Sequence, residues 1–268
     1  MLTISRDLLL KMLLPLLVLF GTCWLAWNYY DVRYFIEWAT IAEKYGVIGI
    51  YSQADKCGYM PLSPILFVAS YELAKTASQM FTNILPALSE VNYYRLIIKM
   101  PLLISIVLVG YIMYRNDGWN VAKWWFYGVP VWVVLWTYQF DPIMLLFMLI
   151  GTYSLIKREY FKAGLWLGIG AAFKYIPALI IPFGVKIAGN RREKILLLLG
   201  FLIPVLIVTL PFLVFDISGF FNQAFGFHMN RYPQMLSIFN IPQLLGGFEM
   251  SPLELKIITL IWLSLIHI

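Results

Sequence analysis

The chain is 268 residues long, 61% hydrophobic and only 13% charged, which lies outside the range of a soluble core with a charged surface. A mean hydropathy of +0.78 makes lipid the solvent for most of it. The net charge of +6 therefore says less about nucleic acid than about where each Lys and Arg sits relative to the membrane spans, and two cysteines, Cys23 and Cys57, make neither a disulfide framework nor a metal cluster.

Apolar runs of about 17 to 25 residues predict spanning helices. The first covers Leu8 to Trp27. It is too long and too poorly matched to a small-residue cleavage site to be a removed signal peptide, and reads as a signal anchor. Pro61 to Tyr71 is apolar for only about eleven residues before Glu72 and Lys75, short of a crossing, so it is expected to enter the membrane without traversing it. Further spans are expected at Ile97 to Tyr114, Ala122 to Trp136, Ile143 to Ile156 and Ile195 to Phe215. Ala163 to Val185 is long enough, but Lys174-Tyr175-Ile176-Pro177 interrupts it, which reads either as one kinked helix or as two half-helices meeting there.

Basic residues collect in cytoplasmic loops, and three short connections are rich in them: Arg115 to Lys123, Lys157 to Lys162 and Lys186 to Lys194. Asp31 to Lys56 carries about as many acids as bases, and Asp216 to Glu249 holds a single Arg. If all three basic loops share one side, Pro61 to Tyr71 does not cross and the Lys174 stretch turns back. Asp31, Tyr59, Arg95, Asp141, Lys174 and His228 then sit together on the external face.

A charge inside or at the edge of hydrocarbon costs about 2.5 to 3.5 kcal/mol, so those that remain are functional candidates. Asp31 follows the first span in Tyr29-Tyr30-Asp31-Val32-Arg33. It reads either as a base accepting a proton from a substrate hydroxyl or as an interfacial acid paired with Arg33. Asp141, directly before Pro142, fits a helix N-cap with Pro at the first helical position, a role compatible with facing a cavity. Lys174 lies deep in an apolar run among small residues, where a polar cavity suits it better than snorkelling. Arg95 opens the next span between aromatic residues, a common membrane anchor. His228 and Arg231 lie in a long segment too apolar to be disordered. No phosphate-cradling Gly-rich loop, HExxH or CxxC pair occurs in the chain, so nucleotide hydrolysis, zinc proteolysis and haem transport lack their ligands.

In order along the chain stand an Asp after the first span with Tyr34, Phe35 and Trp38; Tyr59-Met60-Pro61-Leu62 before an apolar stretch; Arg95 at the head of a span; Gln139-Phe140-Asp141 before another; and Ala163-Gly164-Leu165-Trp166-Leu167-Gly168 followed by Lys174 and Pro177. This order resembles the GT-C glycosyltransferases, closest to mannosyltransferase-like members, over about residues 8 to 240. The prolines after Tyr59 are spread over Pro61 and Pro64 where the family pattern doubles them. The resemblance implies an all-α, polytopic transmembrane helix bundle with interfacial helices in the first external loop. It implies an inverting hexosyltransferase, with mannose the expected sugar, drawing on a polyprenyl-phosphate donor and a glycan, lipid or protein acceptor hydroxyl, and acting in the plasma membrane without nucleic acid. Asp31 would be the catalytic base. Lys174, Arg95, Arg231 and His228 would bind the donor phosphate, and Tyr59, Gln139, Asp141 and Tyr175 the sugar or the cavity network. Glu37 and Asp55 are both candidate partners for Asp31, so a divalent metal stays open while no other cofactor is expected.

Residues 1–262 read as one membrane-embedded catalytic module continuing past the C-terminus. Leu263 to Ile268 match the translation of a transposase adapter end used in sequencing-library preparation and are expected to be a non-native tail. The same charged cavity would also serve a transporter or lipid flippase, and a non-catalytic membrane subunit is a third reading.

Overall fold

The computed structural model describes residues 6–25, 29–84 and 90–227. Every regular element among them is helical, as expected for an all-α chain. His228 and Arg231, expected to bind the donor phosphate, the long segment that holds them and the last residues, including the expected tail, lie outside the described residues.

Helix α1, Arg6–Leu25, corresponds to the first apolar run. Helix α2, Tyr29–Tyr45, is amphipathic: Val32, Phe35, Trp38 and Ala39 are buried at helical spacing, while Arg33, Thr40, Glu43 and Lys44 are exposed. A 3-10 turn, Val47–Gly49, and the short α3, Ile50–Gln53, follow. Helix α4 runs Leu62–Ile84, twice the expected length. It continues past Glu72 because it too is amphipathic, burying Ser63, Phe67, Ser70, Ala74 and Ser78, a stripe that a search for unbroken apolar sequence passes over.

Helices α2 and α4 are tied by Lys75 Nζ and Glu43 Oε1 at 2.7 Å. The Lys75 hydrogen bond and charge hold the Glu43 carboxyl below its ordinary value, and Glu43 raises Lys75 in return. The start of α4 reaches the end of α9, where Ser63 Oγ donates to Phe173 O at 3.0 Å. Its far end stacks Phe81 on Tyr93, with ring centroids 5.8 Å apart. Tyr93 in turn meets Trp24 near the end of α1. Both ends of α4 are thus at one end of the bundle, and the helix lies across that end.

Helix α5, Glu90–Asp117, is antiparallel to the pair α6, Trp119–Phe126, and α7, Val129–Thr137. Trp125 Nε1 donates to Ile106 O at 2.8 Å, and Tyr138 Oη to Ile98 O at 3.2 Å. The single span expected over Ala122 to Trp136 is therefore broken at Tyr127-Gly128, where Pro130 opens the second helix. Helix α8, Asp141–Ile156, returns beside α5, with Tyr153 Oη donating to Asp117.

Helix α9, Tyr160–Phe173, forms a hairpin with α8 and packs closely on α11, Arg191–Phe215. A Cβ at Gly164 or Gly168 would collide with backbone atoms of Leu197 and Phe201, and one at Gly200 with the Phe161 carbonyl. Gly164 and Gly168 are thus a small-xxx-small pair that lets two backbones touch. After Phe173 the chain does not continue upward. Lys174 is extended, a 3-10 turn covers Ile176–Ile180, and α10, Ile181–Ile187, comes back to the level of Leu155 and Leu197. The Lys174 stretch is two pieces with a reversal between them. Asn190 then starts α11, accepting from Glu193 N at 3.0 Å while the Glu193 carboxylate takes Gly189 N at 2.8 Å. Helix α12, Ile217–Phe221, leads into a π-helical turn, Asn222–Gly226.

This path places the three basic connections at one end of the bundle, and Asp31, Tyr59, Asp141 and Lys174 at the other. Two stretches, Tyr93–Asp117 and Arg191–Phe215, are long and apolar enough to cross a bilayer on their own.

Candidate active site

The site begins with a strained turn. Tyr138 closes α7 with φ 55° and ψ 62°, a left-handed conformation that is uncommon for a bulky residue. Burial enforces it: Tyr138 is fully buried against Phe35, Phe67 and Phe140, with ring centroids 5.3 to 5.7 Å away, and aromatic pairs add about 0.5 to 1.5 kcal/mol each. The turn directs the next residue, Gln139, into the cavity.

Gln139 connects two chain segments. Its Oε1 accepts from Tyr59 Oη at 2.9 Å, and its Nε2 donates to Asp31 Oδ2 at 3.0 Å. Only this amide orientation serves both neighbours, because a carboxylate accepts and cannot donate. Asp31 stands in the first turn of α2, where the helix dipole favours a carboxylate. Tyr59 is held by Tyr51, whose Oη donates to the Tyr59 carbonyl at 2.7 Å. Burial pushes the Tyr51 phenol and the Cys57 thiol well above their ordinary ranges, so both form a neutral wall.

Lys174 and Asp141 meet at 2.8 Å with their side chains about a quarter and a third exposed. This corrects the capping expectation for Asp141. Helix α8 starts at Asp141 itself, and its N-cap, Phe140, makes no side-chain capping bond, so the carboxylate is used on Lys174 instead. Lys174 is fixed where α9 ends, its N–H bonded to Gly170 O at 3.1 Å.

Asp31, Tyr59, Gln139 and Lys174 line one cavity of about 200 Å³, together with Tyr34, Trp38, Lys56 and Phe227. Arg95 and Tyr175 are not in that lining: Arg95 is half-buried in α5 and Tyr175 is exposed. Lys56 was not picked out from sequence, since a loop lysine among acids reads as a solvated charge. Its proximity to Tyr59 was the available signal. Lys99, one turn beyond Arg95, is fully buried in α5 and was also passed over. Glu37 takes the Asp55 backbone N–H at 2.8 Å. Among the described residues no group of three His, Cys, Asp or Glu side chains comes together.

A carboxylate held by a neutral amide, with a lysine in the same cavity, is suited to taking a proton from a hydroxyl beside an anionic leaving group. A family model described as Glycosyltransferase family 87 matches residues 61–268, which include Gln139, Asp141 and Lys174. No curated protein and no solved structure matches the chain significantly. The match gives the transporter reading no support; the chain belongs to glycosyltransferase family 87, a GT-C-type family of membrane glycosyltransferases.

Proposed function

We propose that this glycosyltransferase is a multi-pass plasma-membrane enzyme that moves a hexose, with mannose the expected sugar, from a polyprenyl-phosphate donor to an acceptor hydroxyl with inversion. Asp31 accepts the hydroxyl proton. The acceptor oxygen attacks the anomeric carbon opposite the phosphate, the anomeric C–O bond breaks, and its electron pair leaves with polyprenyl phosphate. The ammonium of Lys174 uses one of its three N–H donors on Asp141, leaving two for the phosphate. Tyr59 and Gln139 orient the base and bind sugar hydroxyls.

The observation that carries this reading is the shared cavity of Asp31 and Lys174. Two further features support it. The 16 residues of α8 rise about 24 Å and the 14 of α9 about 21 Å, less than the ~30 Å of hydrocarbon. The cavity at their ends is then recessed into the bilayer, where a lipid-linked phosphate can reach it. The three basic connections stand at the opposite end, and by the positive-inside rule this supports an external cavity.

The test is to reconstitute the protein with a hexose-labelled polyprenyl phosphate. Covalent transfer to an added acceptor, with the opposite anomeric configuration in the product, is expected. Movement of the intact lipid-linked sugar across the bilayer without transfer would instead favour the flippase reading.

A further inference from the structure

Lys174 and Lys56 both line the cavity, but they differ in charge balance. Lys174 is matched by Asp141 at 2.8 Å. Lys56 meets no carboxylate among the described residues. Its ammonium instead lies 5.0 Å from the Tyr34 ring centroid and 5.2 Å from that of Phe227. Aromatic faces attract and orient a cation without neutralising it, so Lys56 brings a whole positive charge to the cavity.

Its position is also built rather than incidental. The Lys56 carbonyl accepts from Trp38 Nε1 at 2.8 Å. On either side, the Gln223 amide clamps the loop, donating to Ala54 O at 2.9 Å and accepting from Cys57 N at 3.1 Å. Three parts of the chain, α2, the first loop and the segment after α12, thus fix one lysine whose head group is held by two rings.

We propose that Lys56 is the principal ligand of the donor phosphate, with the paired Lys174 secondary; this rests on the polyprenyl-phosphate reading above. The donor is a phosphodiester with one negative charge, and the departing polyprenyl phosphate gains a second, so an unmatched cation binds the product more tightly than the donor and stabilises the charge as it develops. The Tyr34 and Phe227 rings hold the ammonium on the cavity side before phosphate arrives, which lowers the ordering cost of binding.

Calorimetric titration of the full chain in detergent with a short-chain polyprenyl phosphate tests this. Lys56→Met should weaken binding by about 10- to 100-fold, the loss expected for a hydrogen bond to a charged group, and Lys56→Arg should restore most of it. Lys174→Met should have the smaller effect. In the unmutated protein, polyprenyl phosphate should protect Lys56 from amine acylation, read by mass spectrometry, whereas inorganic phosphate at equal concentration should not. This arm does not depend on whether the variants fold. Unchanged binding by Lys56→Met, or no protection of Lys56 while polyprenyl phosphate binds, overturns the assignment and leaves the donor reading intact. Equal protection by inorganic phosphate reassigns Lys56 to a free-phosphate site and also overturns it. A wild-type protein that neither binds polyprenyl phosphate nor transfers sugar from it overturns the donor reading and this proposal with it.

Discussion

The ammonium of Lys174 and the carboxylate of Asp141 form a 2.8 Å ion pair between the end of α9 and the start of α8, 33 residues apart in sequence. Each is a charge at the edge of an apolar helix, and each makes the other tolerable there. Their partial exposure sets the pair between a surface bridge, worth about 0 to 1 kcal/mol, and a buried one, whose breaking costs about 3 to 5 kcal/mol. Asp141→Ala should therefore destabilise the protein by about 2 kcal/mol in a detergent unfolding titration. The reciprocal Asp141→Lys, Lys174→Asp protein should recover much of that stability. An Asp141→Ala protein as stable as the wild type would mean that the pair contributes nothing.

Gln139 neutralises no charge, yet it is the group that orients Asp31. Gln139→Leu should lower kcat by about 10-fold or more with a small change in donor KM, because orientation of a base acts on the chemical step. Gln139→Glu keeps the size but replaces the amide donor to Asp31 with a second acceptor, so it should lower kcat as well. Wild-type turnover in both variants would show that Gln139 does not position the base.

The approach of α9 to α11 leaves no room for side chains at Gly164 and Gly168. What a new Cβ meets there is backbone, which cannot move aside like the tip of a flexible side chain. Gly168→Ala should cost about 2 kcal/mol or more, and Gly168→Leu should prevent recovery of a monodisperse protein. Gly118 offers the control. Its surroundings are open, but its φ of +81° strains any replacement, so Gly118→Ala should cost no more than about 1 to 2 kcal/mol.

Cys23 and Cys57 are both fully buried, and burial raises the Cys57 thiol so that little thiolate exists near neutrality. Maleimide at neutral pH should label neither cysteine in the native protein and both after denaturation in SDS. Native labelling of Cys57 would reveal opening of the loop that Gln223 clamps.

How much could be read from sequence follows from what each signal depends on. Asp31, Asp141 and Lys174 were legible because charges are scarce in this chain and each sits beside apolar sequence. The reversal at Lys174 was legible as a choice between a kink and two half-helices, and the parity of the basic loops favoured the second. The length of α4 was not legible to an apolar-run search, since the half-buried Glu72 and the exposed Lys75 end the apolar run while the buried stripe of Ser70, Ala74 and Ser78 continues. The break between α6 and α7 was hidden because Tyr127 and Gly128 do not interrupt hydrophobicity. Asp141 looked like a cap because Asp before Pro usually is one; its use on Lys174 depends on α8 and α9 ending side by side, which no local pattern encodes. Lys56 stands close to Tyr59 in sequence, but its setting between Tyr34 and Phe227, from distant parts of the chain, is defined only by the fold.

The most direct test of the account compares wild type with Asp31→Asn in a single-turnover assay using labelled polyprenyl-phosphate hexose and a saturating acceptor. Asparagine keeps the size and the contact with Gln139 but cannot take a proton at neutral pH. The account predicts an Asp31→Asn protein with unchanged thermal stability and donor affinity, and with transfer reduced at least about 10²-fold, the low end of what a positioned base contributes. Transfer at the wild-type rate would contradict it.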